Sequence, residues 1–163
     1  MWAVWRPDAV AVLKDKRARV SLSRYFDVMQ DDKPAKFLIA KKLPAEFGEE
    51  DSLPKLWKVH DQITEEFYRI EKEIDSRQKR LEELDSPEKS YLDLKTEIAR
   101  RILENCHFCT RRCGFNRVTG ELGYCKCGTQ ILVSTMFEHM GEEPELVPSG
   151  TIFTLGCSLK CRH

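Results

Sequence analysis

The chain has 163 residues, which is enough for one ordinary domain or two small ones and too few for a complete barrel enzyme. Lys and Arg total 27, as do Asp and Glu, so the formal net charge is zero and gives no support for a broad nucleic-acid or anionic-membrane surface. The sequence has no apolar run of about 18 residues, so it predicts no membrane span.

The N-terminus and the cysteine content both indicate the cytoplasm. Residues 1–8 lack the basic start and apolar core of a secretory signal. In a reducing compartment, the seven cysteines are expected to be thiols, metal ligands or redox groups. Their odd number also argues against a complete disulfide framework.

Residues 1–50 form a mixed N-terminal segment without recognisable chemistry, and we expect them to serve packing. The segment 36–40 is short and apolar, which is typical of a strand or a buried turn of helix. The segment 21–30 is predicted to be helical because its apolar residues have helical spacing: Leu22, Tyr25, Phe26 and Met29.

Residues 51–105 are predicted to form a helical hairpin. Ser52 is the expected N-cap, and Pro54 lies in the first turn, where its missing N–H is tolerated. The first helix should carry an apolar seam along its whole length, formed by Leu56, Ile63, Phe67, Ile70, Ile74, Leu81 and Leu84.

The break between the two helices is predicted at residues 85–87. Ser86 would cap the second helix and Pro87 would open it. Three apolar residues then lie on one side of that helix, namely Leu94, Ile98 and Ile102. The seam is expected to cover the rest of the protein, with a dimerising coiled coil as the alternative. His60, without a His or Cys partner in sequence, is expected to be a surface or interface residue.

Residues 106–148 are a cysteine-rich segment and a predicted metal-binding region. A Cys-x-x-Cys pair followed by further cysteines after a glycine-containing connection matches a four-thiolate zinc site. The predicted ligands are Cys106, Cys109, Cys113 and Cys125, with Cys127 or His107 as the alternative fourth ligand.

The chemistry of that segment has open alternatives. The same thiolates could hold an iron–sulfur cluster, and free reduced cysteines are the competing interpretation. Three arginines would favour thiolate over thiol, or would be plain surface charges: Arg111, Arg112 and Arg117.

Residues 149–163 contain the most specific motif. A predicted strand over 151–155 ends at Gly156, and Cys157 and Cys161 follow it. The spacing Cys-x-x-x-Cys-x-x-Cys places three thiolates around one [4Fe–4S] cluster. Here the third ligand would be residue 164, beyond His163.

Two cysteine patterns in this order resemble a known family. The upstream motifs are Cys106-x-x-Cys109-x-Arg111-x-Cys113-Gly114-x-Asn116-Arg117 and Gly120-Glu121-x-Gly123-x-Cys125. The downstream motifs are Glu142-Glu143-Pro144, Ser149-Gly150-Thr151-Ile152-Phe153 and Gly156-Cys157-x-Leu159-x-Cys161. Together they resemble the start of the barrel of radical S-adenosylmethionine proteins, in a branch similar to pyruvate formate-lyase activating enzyme. The resemblance covers residues 106–163 and hardly touches 1–105.

The predicted fold class is α+β: a helical N-terminal region with the hairpin, a small cysteine-rich domain and, as the resemblance implies, the first strand of a truncated (β/α) barrel. The resemblance implies a [4Fe–4S] cluster, with Cys157 and Cys161 as ligands, that reductively cleaves S-adenosylmethionine to a 5′-deoxyadenosyl radical. It further implies an electron donor such as ferredoxin or flavodoxin, and a glycyl-radical-type protein or a small molecule as substrate. Cys127 has no expected counterpart.

We expect this polypeptide alone to be inactive, because two ligands and one strand cannot hold and shield such a cluster. One hypothesis is that codon 164 is UGA, by mutation or as selenocysteine; a fragment boundary is the plainer alternative. A zinc-binding helical interaction module without catalysis is the alternative function. A third possibility is a non-functional remnant whose lone strand over 151–155 exposes both edges.

Overall fold

The computed structural model describes residues 2–159, so the predicted ligand Cys161 lies outside the described residues. Seven helices and two strands occur in this range: α1 (Trp2–Trp5), α2 (Pro7–Val12), α3 (Lys16–Ser21), α4 (Ser23–Met29), α5 (Lys36–Ala40), α6 (Leu53–Asp75), α7 (Tyr91–Glu104), β1 (Val133–His139) and β2 (Ser149–Thr154). Short 3₁₀ turns cover Leu81–Glu83 and Pro144–Leu146. Within 2–159, no helix is long and apolar enough to cross a bilayer. The α+β class is confirmed, as helices followed by a small antiparallel sheet.

The helical hairpin forms the core of the protein, as predicted. Helices α6 and α7 run antiparallel: Tyr91, at the start of α7, contacts Thr64, and Lys95, further along α7, contacts His60, which is earlier in α6. Helix α5 packs on both. The buried core residues include Ile39, Leu43, Leu56, Phe67, Ile70, Ile74, Tyr91, Leu94, Ile98 and Ile102. Burying these side chains is the main source of stability for the helices.

The first helix ends earlier than the sequence predicted. Arg77 adopts a left-handed conformation with φ 59°, and its N–H bonds to Ile74 O at 2.9 Å. The N–H of Gln78 bonds to Glu73 O, also at 2.9 Å. This pair of hydrogen bonds is a Schellman termination, here built on arginine where glycine is usual. The later seam residues Leu81 and Leu84 therefore lie beyond the helix, partly buried against the core.

The predicted cap of the second helix was also wrong. Helix α7 is capped by Ser90, which forms a capping box with Asp93: Ser90 Oγ accepts from Asp93 N at 3.3 Å, and Asp93 Oδ2 accepts from Ser90 N at 2.8 Å. Ser86 instead accepts a hydrogen bond from Lys42 Nζ at 2.8 Å.

A backbone pairing explains why Ser90, and not Ser86, caps α7. Tyr91 N donates to Leu43 O at 2.8 Å, and Ala45 N donates to Lys89 O at 2.9 Å. These bonds hold residues 89–91 extended beside residues 43–45, so the helix cannot begin before Ser90.

Helix α4 attaches to this core through charge. The predicted helix at 21–30 is confirmed as α4, although only Phe26 of its apolar residues is buried. Arg24 Nε lies 3.1 Å from Glu71 Oε1 and 3.0 Å from Asp75 Oδ2, which joins α4 to the end of α6. The segment 36–40 is helical, which decides the open choice between strand and helix.

The two strands form one antiparallel hairpin in which Met136 pairs with Ile152 and His139 pairs with Ser149. Strand β1 was not predicted. The expectation of a lone strand with two exposed edges is corrected, because β1 covers one edge of β2. Leu155 N also donates to Leu132 O at 2.8 Å, which extends the pairing to the end of β2.

The two serines before α7 provide a direct test of the capping assignment. We expect Ser90→Ala to lower the free energy of unfolding by about 1 kcal/mol, because the Asp93 N–H loses its partner. Ser86→Ala is the matched control and should change it by less than about 0.5 kcal/mol. Urea denaturation followed by circular dichroism measures both; a larger loss for the Ser86 variant would contradict the assignment.

Candidate functional site

The first cysteine segment begins directly after α7 and is held by backbone hydrogen bonds. Cys106 N donates to Phe115 O at 3.1 Å, and Gly114 N donates to Cys106 O at 3.0 Å. Gly114 has φ 72°, a left-handed conformation in which a side chain would be strained. The loop therefore closes on itself and returns Cys113 to the neighbourhood of Cys106.

Cys106 and Cys113 form the first thiol pair. Hydrogen bonds from the backbone N–H of Tyr124, then from that of Phe115 and from the Cys106 thiol, lower the pKa of Cys113. A methyl group at Gly123 would lie 2.9 Å from Cys113 Sγ, so glycine allows the backbone to approach this sulfur.

Cys125 and Cys127 form the second thiol pair. The backbone N–H of Cys127 is the main cause that lowers the pKa of Cys125, with further contributions from the Cys127 thiol and the charge of Arg117. Burial, together with the hydrogen bond and charge of Cys125, raises the pKa of Cys127. A charge on Cys157 also raises it, so Cys157 lies within electrostatic reach.

Arg117 connects the two pairs. Its Nη1 lies 3.6 Å from Cys106 Sγ, and its Nε donates to Gly128 O at 3.1 Å. A guanidinium in this position stabilises thiolates, in agreement with one of the two roles considered for the arginines. Arg112, in contrast, is exposed and occupies a left-handed turn position.

The second cysteine segment follows the end of β2. Gly156 has φ 86° and turns the chain sharply, so that Cys157 begins a loop outside the sheet. Leu159 N donates to Cys157 Sγ at 3.3 Å, while the Cys157 side chain remains exposed. The loop thus supplies a hydrogen bond to the sulfur of its first cysteine.

The two cysteine segments, separate in sequence, are in contact in space. Cys127 Sγ lies 3.8 Å from Leu155 O, and a methyl group at Gly156 would overlap the Cys127 sulfur. Arg111 stacks on the Tyr124 ring at 3.6 Å and donates to Ser158 O at 3.3 Å. Sequence reasoning considered Cys127 only as an alternative fourth ligand of the first segment, whereas the structure places it at this junction.

The predicted four-cysteine set is only partly brought together. The structure pairs Cys106 with Cys113 and leaves Cys109 exposed. His107 Nδ1 lies 2.7 Å from Asn105 O. Among residues 2–159, no group of three or more His, Cys, Asp or Glu side chains is arranged to hold a metal ion. A metal at these cysteines stays a prediction.

Comparison with known proteins gives one informative similarity. The chain is 42% identical, over 142 residues, to "Uncharacterized protein MJ0674" of Methanocaldococcus jannaschii. The aligned region is 87% of this chain and 39% of that protein, so the chain spans about two fifths of its relative's length. No protein-family model matches the chain. No solved structure matches it either.

Gly156 tests the contact between the two segments. Gly156→Ala should separate them, because its methyl group would collide with Cys127 Sγ and lie 2.8 Å from Cys125 O at a strained positive φ. We expect faster alkylation of Cys127, measured by peptide mass spectrometry. Gly150→Ala is the matched control, since a methyl group there meets no atom within 4 Å. Equal alkylation in both variants and the parent would exclude the contact.

The opposite pKa directions within the second pair predict an order of reactivity. Cys125, with its pKa lowered, should become thiolate and react with iodoacetamide at lower pH than Cys127, whose pKa is raised. Both are half-buried, so access is similar. The measurement is the alkylation rate of each cysteine against pH in reduced, metal-free protein. Arg117→Gln should shift the Cys125 curve to higher pH; an unchanged curve would rule out the arginine's contribution.

Proposed function

We propose that this chain is the N-terminal part of a radical S-adenosylmethionine enzyme, of the kind that resembles activating proteins of glycyl-radical enzymes. The observation that carries the proposal is the position of Cys157. It begins a loop directly after the C-terminal end of β2, and within this loop the N–H of Leu159 donates to the Cys157 sulfur. Active sites of (β/α) barrels lie beyond the C-terminal ends of their strands.

The surface of β2 supports the same proposal. Ile152 is 58% exposed and Phe153 is 49% exposed, and the alternation of a strand places them on opposite faces. Strands that are apolar on both faces are typical of parallel sheets and barrels, which are covered on both sides. In the described chain, β1 pairs with one edge of β2, and a further strand could pair with the other.

This chain contains two of the three cysteine ligands that the proposed cofactor requires. Cys157 and Cys161 would hold a [4Fe–4S] cluster, with residue 164 as the third ligand. When bound, the cluster supplies the electron that cleaves S-adenosylmethionine. The Leu159 N–H would donate to a ligand sulfur, an interaction that tunes the potential of such clusters. Arg111 would hold the loop in place through Ser158 O.

For the first cysteine segment we propose a structural metal site, either zinc or a second iron–sulfur cluster. Metal binding requires thiolates, and the lowered pKa values of Cys113 and Cys125 favour them. The left-handed Gly114 and the close approach of Gly123 to Cys113 Sγ allow the backbone to wrap closely around these sulfurs. Cys109, although exposed, would be the remaining ligand.

The second candidate function is a zinc-binding helical interaction module. It is favoured by one observation: the thiolate-stabilising contacts of Cys113 come from Tyr124, Phe115 and Cys106, none of which belongs to the Cys157 loop. A zinc site at the first segment could therefore form without the barrel.

The deciding experiment begins with the source DNA through codon 164. If a cysteine codon and further coding sequence follow, the whole protein should be expressed and reconstituted with iron and sulfide under anaerobic conditions. We expect reduced protein to convert S-adenosylmethionine into 5′-deoxyadenosine, measured by liquid chromatography. Cys157→Ser should abolish the product and remove about four irons per chain.

Ser86→Ala is the control and should retain product formation, because Ser86 contacts Lys42 and lies outside both cysteine segments. Product formation that survives Cys157→Ser would contradict the proposal. If codon 164 is a true stop, the purified chain should be analysed for metal. About one zinc per chain in a colourless protein would then establish the interaction module in place of the enzyme.

A further inference from the structure

A cavity of about 360 Å³ lies between α5, α6 and α7 and has no cysteine in its lining. Its walls include the aromatic side chains of Phe37, Phe67, Tyr68 and Tyr91. This volume lies within the usual range of small-molecule sites, which combine apolar walls with a few convergent polar groups.

Four polar side chains converge on this cavity from α6 and α7. The Tyr91 hydroxyl lies 2.7 Å from Thr64 Oγ1 and 3.1 Å from His60 Nε2. Tyr91 is only 2% exposed, so its hydroxyl is a buried group held at the cavity wall. Lys95 Nζ lies 3.0 Å from the same His60 Nε2.

The hydrogen-bond donors and acceptors determine which nitrogen of His60 carries the ring proton. A lysine ammonium can only donate, so His60 Nε2 accepts from it and the imidazole is neutral there. The ring proton then resides on Nδ1, which lies 3.3 Å from Asp61 Oδ1. Asp61 thus orients His60, and His60 in turn orients Lys95 at the cavity.

The charge of the cavity is positive. None of the described residues that line it is acidic, whereas Lys36 and Lys95 are among them. Lys36 is largely neutralised by Glu71 Oε1 at 3.1 Å. Within residues 2–159, no carboxylate lies within 4.0 Å of Lys95 Nζ, which keeps N–H groups available for an anion.

A second hollow, of about 200 Å³, shares His60 and Lys95 with the first. It continues towards Trp57 and Phe108, and Trp57 lies with its ring 5.0 Å from the His60 ring. The Lys95 ammonium is therefore flanked on both sides by apolar and aromatic surface.

We propose that this cavity is a binding site for a small organic anion with an aromatic body. Its carboxylate or phosphate oxygens would accept from Lys95 Nζ, while the Tyr91 hydroxyl donates to Thr64 Oγ1, whose own proton goes to His60 O. Its ring would pack between Phe37 and Tyr68, where aromatic contacts add to the charge. The site uses no cysteine and is independent of the function proposed above.

The test uses the complete 163-residue chain, phenyl phosphate and benzoate as probes, and phenol as the uncharged control. ¹H–¹⁵N NMR titration should give saturable one-to-one binding of both anions, with shifts concentrated at residues 36–40, 60–68 and 91–95. Trp57, next to His60, should report the same binding by fluorescence. Phenol should bind at least about tenfold more weakly, because it lacks the charge. Stronger binding of one anion than the other identifies the head group.

Two lysine variants distinguish specific binding at this site from non-specific attraction of anions to positive charge. Lys95→Gln should weaken the binding of both anions about tenfold, as expected for loss of one charge-assisted hydrogen bond. Lys58→Gln is the matched control: Lys58 is exposed on α6 outside the cavity, and its variant should bind within about twofold of the parent. Both variants change exposed side chains, so folding should be retained, which their NMR spectra will verify.

Three results would overturn the proposal. The first is the absence of saturable binding of either anion. The second is equal weakening by Lys95→Gln and Lys58→Gln, which would indicate non-specific charge attraction. The third is binding whose chemical-shift changes lie outside α5, α6 and α7.

Discussion

The backbone pairing of residues 43–45 with residues 89–91 determines where α7 begins, and much of the structure depends on it. Once Ser90 is fixed as the cap, Leu94 is fully buried and the helix packs antiparallel to α6. The same start places Tyr91 and Lys95 opposite Thr64 and His60. Because α7 ends at Glu104, Cys106 follows at once, so both the cavity and the cysteine segment take their positions from this helix.

The cysteine segments are held by a different kind of interaction. Few of their residues are buried, and their order comes from backbone hydrogen bonds, the guanidinium of Arg117 and close approaches at glycines. Such contacts are individually weak and leave this part of the chain short of hydrophobic stabilisation. A bound metal contributes folding free energy directly, which is the physical reason that a structural metal suits this segment.

Our proposal gives a common explanation for the exposed apolar hairpin of β1 and β2 and for the greater length of the M. jannaschii relative. Met136 is 71% exposed and Ile152 is 58% exposed, a cost that further chain packed on the sheet would remove. The relative contains more than twice the aligned length. In our proposal, the additional chain completes the barrel, and the junction of Cys127, Gly156 and Cys157 lies at its entrance, where the metal of the first segment could stabilise the cluster loop.

The sequence by itself determined the helical hairpin, its buried residues Leu94, Ile98 and Ile102, the strand before Gly156 and the cysteine motifs, because periodicity and ligand spacing are local properties. The metal and the radical chemistry remain predictions. Only the tertiary structure decided that α6 ends at a Schellman turn on Arg77, that Ser90 caps α7, that β1 pairs with β2, and that Cys127 meets Gly156. The Schellman turn is local but lacks the glycine that would predict it, whereas the other three depend on contacts between separate segments, which no local pattern records.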